Sequence, residues 1–298
     1  MKRILVTGAT GNIGVEVIRF LFESKIENHI IAGVRDIAKA KKVFVNFPRL
    51  NYVEFDFENY GTFNRTLENI DTVFLLRPPH ISDVSECFSP LLEKIKQKGI
   101  TEVVFLSVQG ADFSSMIPHN KIEKLIQKFR LNYIFLRPSY FMQNITTTLL
   151  SDIKNKRQII LPSAKAKFNW IDVENIGETA AILLNDFDKY KNQTIDLTGS
   201  ENENFSTIAY IINEVVDKKI MFVNTNPFKF YKIKKKEGME KGMIMVMIFL
   251  HFLPRFQKEP RISNFYSKLT GKKPTTLMEF MKREKEKFNS PIVNSRYF

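Results

Sequence analysis

Lys2–Gly14 reads KRILVTGATGNIG, a short apolar run followed by glycines at positions 8, 11 and 14. Ile4, Leu5 and Val6 have the continuous apolar character of a strand buried on both faces. From the turn to Phe22, Ile13, Val17, Ile18 and Leu21 recur at helical spacing. Strand, glycine turn and helix in that order make a phosphate-binding turn. Gly8 permits the sharp bend, Gly11 lets backbone approach a pyrophosphate, and Gly14 allows close helix–sheet packing. The helix start then offers unpaired N–H groups and the positive end of its dipole to the phosphates.

Working outward, strands and helices alternate. His29–Val34, Asn51–Asp56, Asp71–Leu76, Thr101–Leu106 and Asn132–Leu136 read as strands, with helices at Asp36–Val43, Ser85–Lys98 and Asn120–Phe129. This pattern predicts an α/β fold, a Rossmann-type doubly wound parallel sheet. Beyond residue 155 the rhythm loosens. Short strands at Gln158–Leu161, Phe168–Val173, Gln193–Leu197 and Lys219–Val223 mix with helices at Asn175–Leu184 and Phe205–Val216. A Lys-, Met- and Phe-rich helical end closes with Thr275–Lys287, where the threonines supply a cap. The expected division is therefore 1–155 for the nucleotide-binding domain and 156–298 for a smaller, mostly helical substrate domain. Parts of 165–200 are expected to pack back onto the first.

The net charge of +13 is uneven. Residues 1–225 hold 28 basic and 26 acidic side chains, whereas 226–298 hold 17 and 6, so the excess belongs to the C-terminal segment. That argues against a protein dedicated throughout to nucleic acid and suggests a basic surface, Lys234–Lys236 included, that draws anions. One cysteine, Cys87, excludes an internal disulfide framework. The scattered histidines 29, 80, 119 and 251 have no metal-ligand spacing, so no metal is expected. The start has no signal-peptide pattern, and the longest apolar run, Gly242–Leu253, is too short to span a bilayer and reads as a buried or half-buried helix. A cytoplasmic protein with no membrane partner is the expectation.

The second strand ends in Val34-Arg35-Asp36, with Arg35 21 residues after Gly14. A carboxylate there would bind the ribose 2′-hydroxyl of NAD, and an arginine the 2′-phosphate of NADP. Arg35 favours NADP(H); Asp36 keeps NAD(H) open. Asp56 and Phe57 end the third strand, either as an adenine-binding pair or as a plain turn.

The spacing Gly-x-x-Gly-x-x-Gly with TGATG resembles the short-chain dehydrogenase/reductase superfamily. The strings AGVRDIAKA, DTVFLLRPP, VVFLSVQGA, HNKIEKLIQ, YIFLRPSYFMQN, FNWIDVENIGETAA, IDLTGSEN and KLTGKKPTTLMEF resemble its atypical NmrA-like branch. That branch includes the type-2 NAD(P)H:quinone oxidoreductases. The resemblance implies a cofactor site of Gly8, Thr10, Gly11, Asn12, Ile13, Gly14, Arg35, Asp56, Phe57, Leu76 and Ser107, without flavin. Anchored on Leu136–Pro138, the superfamily's catalytic Tyr and Lys fall on Ser115 and His119, with Glu123 at a commonly acidic position. The dyad is thus expected to be absent.

His119, with an ordinary pKa near ~6.5, and Tyr140, in the segment the family turns toward nicotinamide and substrate, become the candidate catalytic residues. Ser107 matches a catalytic serine position, although serine is also a common strand terminator. Asp172 and Asn175 read as helix-capping residues. Without a strong proton donor, a quinone or other conjugated acceptor suits the site better than a simple ketone, because it delocalises the incoming charge. The function expected is NADPH-dependent reduction of such small molecules by direct hydride transfer. The alternative is a non-catalytic NAD(P) sensor acting through a protein partner, and a homo-oligomer also stays open.

Overall fold

In the computed structural model, which describes residues 1–81, 83–216 and 218–289, the strand at Arg3–Val6 (β1) lies near the middle of a seven-stranded sheet. The others are His29–Val34 (β2), Asn51–Glu54 (β3), Thr72–Leu76 (β4), Glu102–Leu106 (β5), Asn132–Pro138 (β6) and Gln193–Leu197 (β7). All pair in parallel, in the order β7-β6-β5-β4-β1-β2-β3. Between β3 and β4 the chain crosses to the other side of β1, which makes the β1/β4 boundary the topological switch point. In open α/β sheets ligands bind there, outside the carboxyl ends of the strands.

The chain divides into two units by its contacts. The first joins Met1–Pro138, Val173–Leu197 and Phe265–Gly271; the second joins Ser139–Asp172, Thr198–Asn264 and Lys272–Phe298. A single boundary at 155 would fall inside the helix Leu150–Lys156 of the second unit.

In the first unit, Ile4, Leu5 and Val6 are fully buried, as strands covered on both faces require. The helices are Asn12–Glu23 (α1), Ile37–Val43 (α2), Val84–Gln97 (α3), Pro118–Lys128 (α4) and Val173–Asn185 (α5), besides shorter ones. Helix α1 buries Gly14, Val17, Ile18 and Leu21 and packs along α5. On one side of the sheet a single cluster joins Phe55, Phe57 and Phe63 with Phe88, Leu91 and Ile95 of α3.

The second unit has helices and two small sheets. Asn202–Glu203 runs antiparallel to Phe168–Ile171, which pairs in parallel with Tyr140–Phe141; Gln158–Leu161 pairs in parallel with Met221–Asn224. Its core gathers Trp170, Phe205, Phe230, Phe280 and Met281. The apolar run forms the helix Lys241–Phe252, which buries Ile244, Met247, Ile248 and His251 and exposes Val246, Phe249 and Leu250. No described helix is long and apolar enough to cross a membrane.

The last helix, Leu277–Asn289, is preceded by a capping box: Glu279 accepts from Thr276 N–H, and Thr276 Oγ1 accepts from Glu279 N–H. Lys234 is only 4% exposed and held by Asp152 and Glu237. The expectation that the whole Lys234–Lys236 run forms an anion-drawing surface therefore fails at Lys234, whose charge is neutralised internally.

Candidate functional site

The glycine turn meets the requirements for a nucleotide phosphate. Gly8 has φ +59°, a left-handed conformation that glycine adopts without strain. A Cβ on Gly14 would stand 2.4 Å from the Gly8 carbonyl oxygen and 2.7 Å from Ala9 Cα, so only a glycine lets α1 begin this close to the turn. Thr10, Gly11 and Asn12 are exposed, Ile13 is half-buried, and Leu76 at the end of β4 lies against Gly8.

Gly11 caps α1 with no side-chain hydrogen bond, and the first turn carries no acidic residue. The N–H groups of Asn12, Ile13 and Gly14 are those a helix start leaves without internal acceptors. Nothing anionic in the first turn competes with a phosphate. A dinucleotide pyrophosphate fits this cradle.

At the end of β2 the two cofactor-reading candidates separate. Asp36 caps α2 by accepting from Lys39 N–H at 2.9 Å, so its carboxylate has a structural partner. Arg35 is exposed and forms no ion pair among the described residues. After β3, Asp56 accepts from Glu58 N–H in a local turn. Phe57 is buried in the core, edge-on to Phe55 at 4.7 Å and 5.3 Å from Phe88. The expectation that its ring lies against an adenine is not met, because core packing takes up the ring.

Ser107, after β5, is buried, and its hydroxyl donates to Glu123 Oε1 at 2.6 Å. Arg137 donates to the same carboxylate from Nε at 2.9 Å and from a terminal nitrogen at 2.6 Å, and also meets Asp112 at 3.1 Å. Ser107 is therefore committed as a donor to a buried ion pair. Asn175 donates to the Tyr266 hydroxyl, which donates to Glu178 at 2.5 Å. Asp172 is fully buried and is held by Arg283 and Gln143.

His119 lies in the first turn of α4, half-buried and 6.1 Å from the Phe105 ring. Burial, with help from the Arg77 charge, lowers its pKa to about 3. At neutral pH it is a neutral imidazole. Of the two roles open to it, donor of a hydrogen bond or donor of a proton, the neutral ring keeps the first. Ser115 is exposed and precedes α4.

Arg77 was not among the sequence candidates. Half-buried directly after β4, it donates from one terminal nitrogen to Pro79 O at 3.2 Å, while its buried Nε–H has no partner among the described residues. The available signal was its position at the carboxyl end of a central strand, just before Pro78-Pro79.

Tyr140 belongs to the second unit. Its ring packs against Phe168, Trp170 and Phe205, and its hydroxyl lies 2.9 Å from His251 Nε2. His251 Nδ1 faces the Met247 carbonyl at 2.6 Å and so carries the ring proton, leaving Nε2 to accept from the tyrosine. Burial pushes the phenol pKa well above its ordinary value. Tyr140 is a weak acid whose proton is already given to a hydrogen bond.

Burial lowers the His251 pKa to about 4. Its unfolded value near ~6.5 is higher, so the unfolded chain binds the extra proton between those values and stability falls as pH drops through that window. The slope approaches about 1.4 kcal/mol per pH unit per histidine. We expect urea midpoints to fall from pH 7 to pH 4.5, and His251→Gln to flatten that fall. Parallel pH profiles for the two proteins would contradict this assignment.

The chain belongs to the NmrA-like family, whose model matches residues 1–281. Prestalk A differentiation protein A of Dictyostelium discoideum is 29% identical over 279 residues, covering 94% of this chain and 91% of that protein. An NAD(P)H azoreductase of Xenophilus azovorans is 25% identical over 291 residues, covering 96% and 99%. The fold is similar to that of the Escherichia coli NADPH-dependent quinone oxidoreductase QOR2 complexed with NADPH, at TM-score 0.84 and 19% identity, covering 94% and 99%.

Proposed function

We propose that this protein binds NADP(H) through Gly8–Gly14 and Arg35 and reduces small conjugated acceptors, quinones or compounds like them, by direct hydride transfer. The observation that carries the reading is the open start of α1: N–H groups without acceptors inside the helix, no carboxylate in the first turn, and a Gly14 approach that admits no side chain. The named azoreductase and quinone oxidoreductase relatives support a conjugated acceptor. When bound, the reduced nicotinamide supplies the hydride.

This chain's residues orient and bind. The α1 start holds the pyrophosphate, and Arg35 answers the 2′-phosphate. His119, neutral, donates a hydrogen bond without giving up a proton, and the proton that completes the reduced product comes from water. A charge-delocalising acceptor needs no stronger acid than that. Tyr140, tied to His251, shapes the second unit's aromatic cluster.

Purified protein mixed with NADPH and a panel of quinones, without added flavin, should oxidise the cofactor; no oxidation above background would leave the sensor reading instead. In cofactor titrations, Arg35→Gln should weaken NADPH about tenfold, as loss of a charged hydrogen bond does, and leave NADH within about twofold. Equal effects on both cofactors would remove Arg35 from the 2′-phosphate site.

A further inference from the structure

Arg77 holds a charge that its surroundings do not balance. It makes no ion pair among the described residues, its one described hydrogen bond is to Pro79 O, and its buried Nε–H has no acceptor there. A half-buried guanidinium left in that state is costly unless an anion completes it. The side chain neighbouring it electrostatically, His119, is itself neutral and offers no negative charge.

The place of Arg77 in the sheet separates it from the cofactor's own charges. The strand order sets β1 between β4 and β2. The pyrophosphate sits on the turn after β1, and the adenosine half lies over the β2 side, where Arg35 stands. Arg77 follows β4, two strand spacings, about 10 Å, from the end of β2. It therefore lies on the nicotinamide half, where an acceptor must come to receive a hydride.

We propose that Arg77 is an anion seat on the nicotinamide half of the site, selecting conjugated acceptors that carry a fixed negative charge such as a carboxylate or sulfonate. The proposal rests on the reductase reading for the word acceptor, but not for the anion seat itself. The planar guanidinium suits a carboxylate or sulfonate, because two parallel N–H groups can meet two oxygens at once. The Nε–H left open here is half of such a fork.

The test uses two matched probes, 1,4-naphthoquinone-2-sulfonate and neutral 2-methyl-1,4-naphthoquinone, titrated into the full-length protein saturated with NADP+, where no turnover occurs. Wild type should bind the sulfonate about tenfold or more tighter than the neutral quinone. Arg77→Gln should weaken the sulfonate about 10- to 100-fold while the neutral quinone and NADP+ stay within about twofold. Arg77→Lys, which keeps the charge but loses the fork, should fall between.

An equal loss for both quinones would overturn the seat, and so would a loss of NADP+ affinity with the sulfonate preference intact. A parallel assay with NADPH separates the two readings. Sulfonate preference in binding without NADPH oxidation would retain the seat and reject the reductase. Oxidation by both quinones at rates indifferent to Arg77→Gln would retain the reductase and reject the seat.

Discussion

Gly14→Val is expected to weaken NADPH binding about 100-fold or more while the protein still folds. A side chain at this position would drive its Cβ into the Gly8 carbonyl and Ala9 backbone, at 2.4 and 2.7 Å. Neither is the yielding end of a flexible side chain, so the first turn of α1 must move away from the glycine loop. The N–H groups of Asn12, Ile13 and Gly14 would then point off the phosphates. Losing one or two charge-assisted hydrogen bonds of about 1.5–3 kcal/mol each gives a fall of that order. The rest of α1 is anchored by Val17, Ile18 and Leu21, all at or near zero exposure, so a cooperative melt should persist. Fluorescence titration with NADPH beside a thermal melt makes the measurement; an affinity within threefold of wild type would show that the phosphates are not held here.

The parts of this site that can be read along the chain are those where neighbours in sequence do the work. Gly8, Gly11 and Gly14 declare themselves because one turn and one helix start use all three. The strands of the large sheet are legible for a related reason: a strand buried on both faces has to be apolar throughout, as Val103–Leu106 and Ile134–Leu136 are. Tyr140–Phe141 and Asn202–Glu203 are strands of two residues, too short for any periodicity to register.

Side-chain partnerships across long separations are harder still. Nothing local ties Tyr140 to His251, 111 positions away, yet that bond turns a candidate acid into a donor already in use. The His119 pKa depends on burial and on Arg77, which is 42 residues earlier and looks like a surface cation in the linear text. Along the chain Asp56-Phe57 reads as an adenine-binding pair or a plain turn, and only the fold brings Phe55 and Phe88 against the Phe57 ring.

Glu123 shows the same limit with the largest energetic consequence. Its carboxylate accepts from Ser107 and twice from Arg137, with both charged side chains nearly buried at 6% and 11% exposure. Removing one partner of a buried ion pair leaves the other charge uncompensated, which typically costs 3–5 kcal/mol. Asp112, 3.1 Å from Arg137 but 61% exposed, offsets part of that loss. Glu123→Ala should therefore destabilise by about 3 kcal/mol in urea unfolding at pH 7.

If the cost comes from the orphaned guanidinium, Arg137→Met in the same chain should recover part of it, because no uncompensated charge is then left buried. A single-variant loss under about 1 kcal/mol, or a double variant no better than the single, would show that the pair does not stabilise β6 against α4. The same pair bears on chemistry. Glu123 accepts the Ser107 hydroxyl proton at 2.6 Å, so while that bond persists Ser107 has no proton to donate elsewhere.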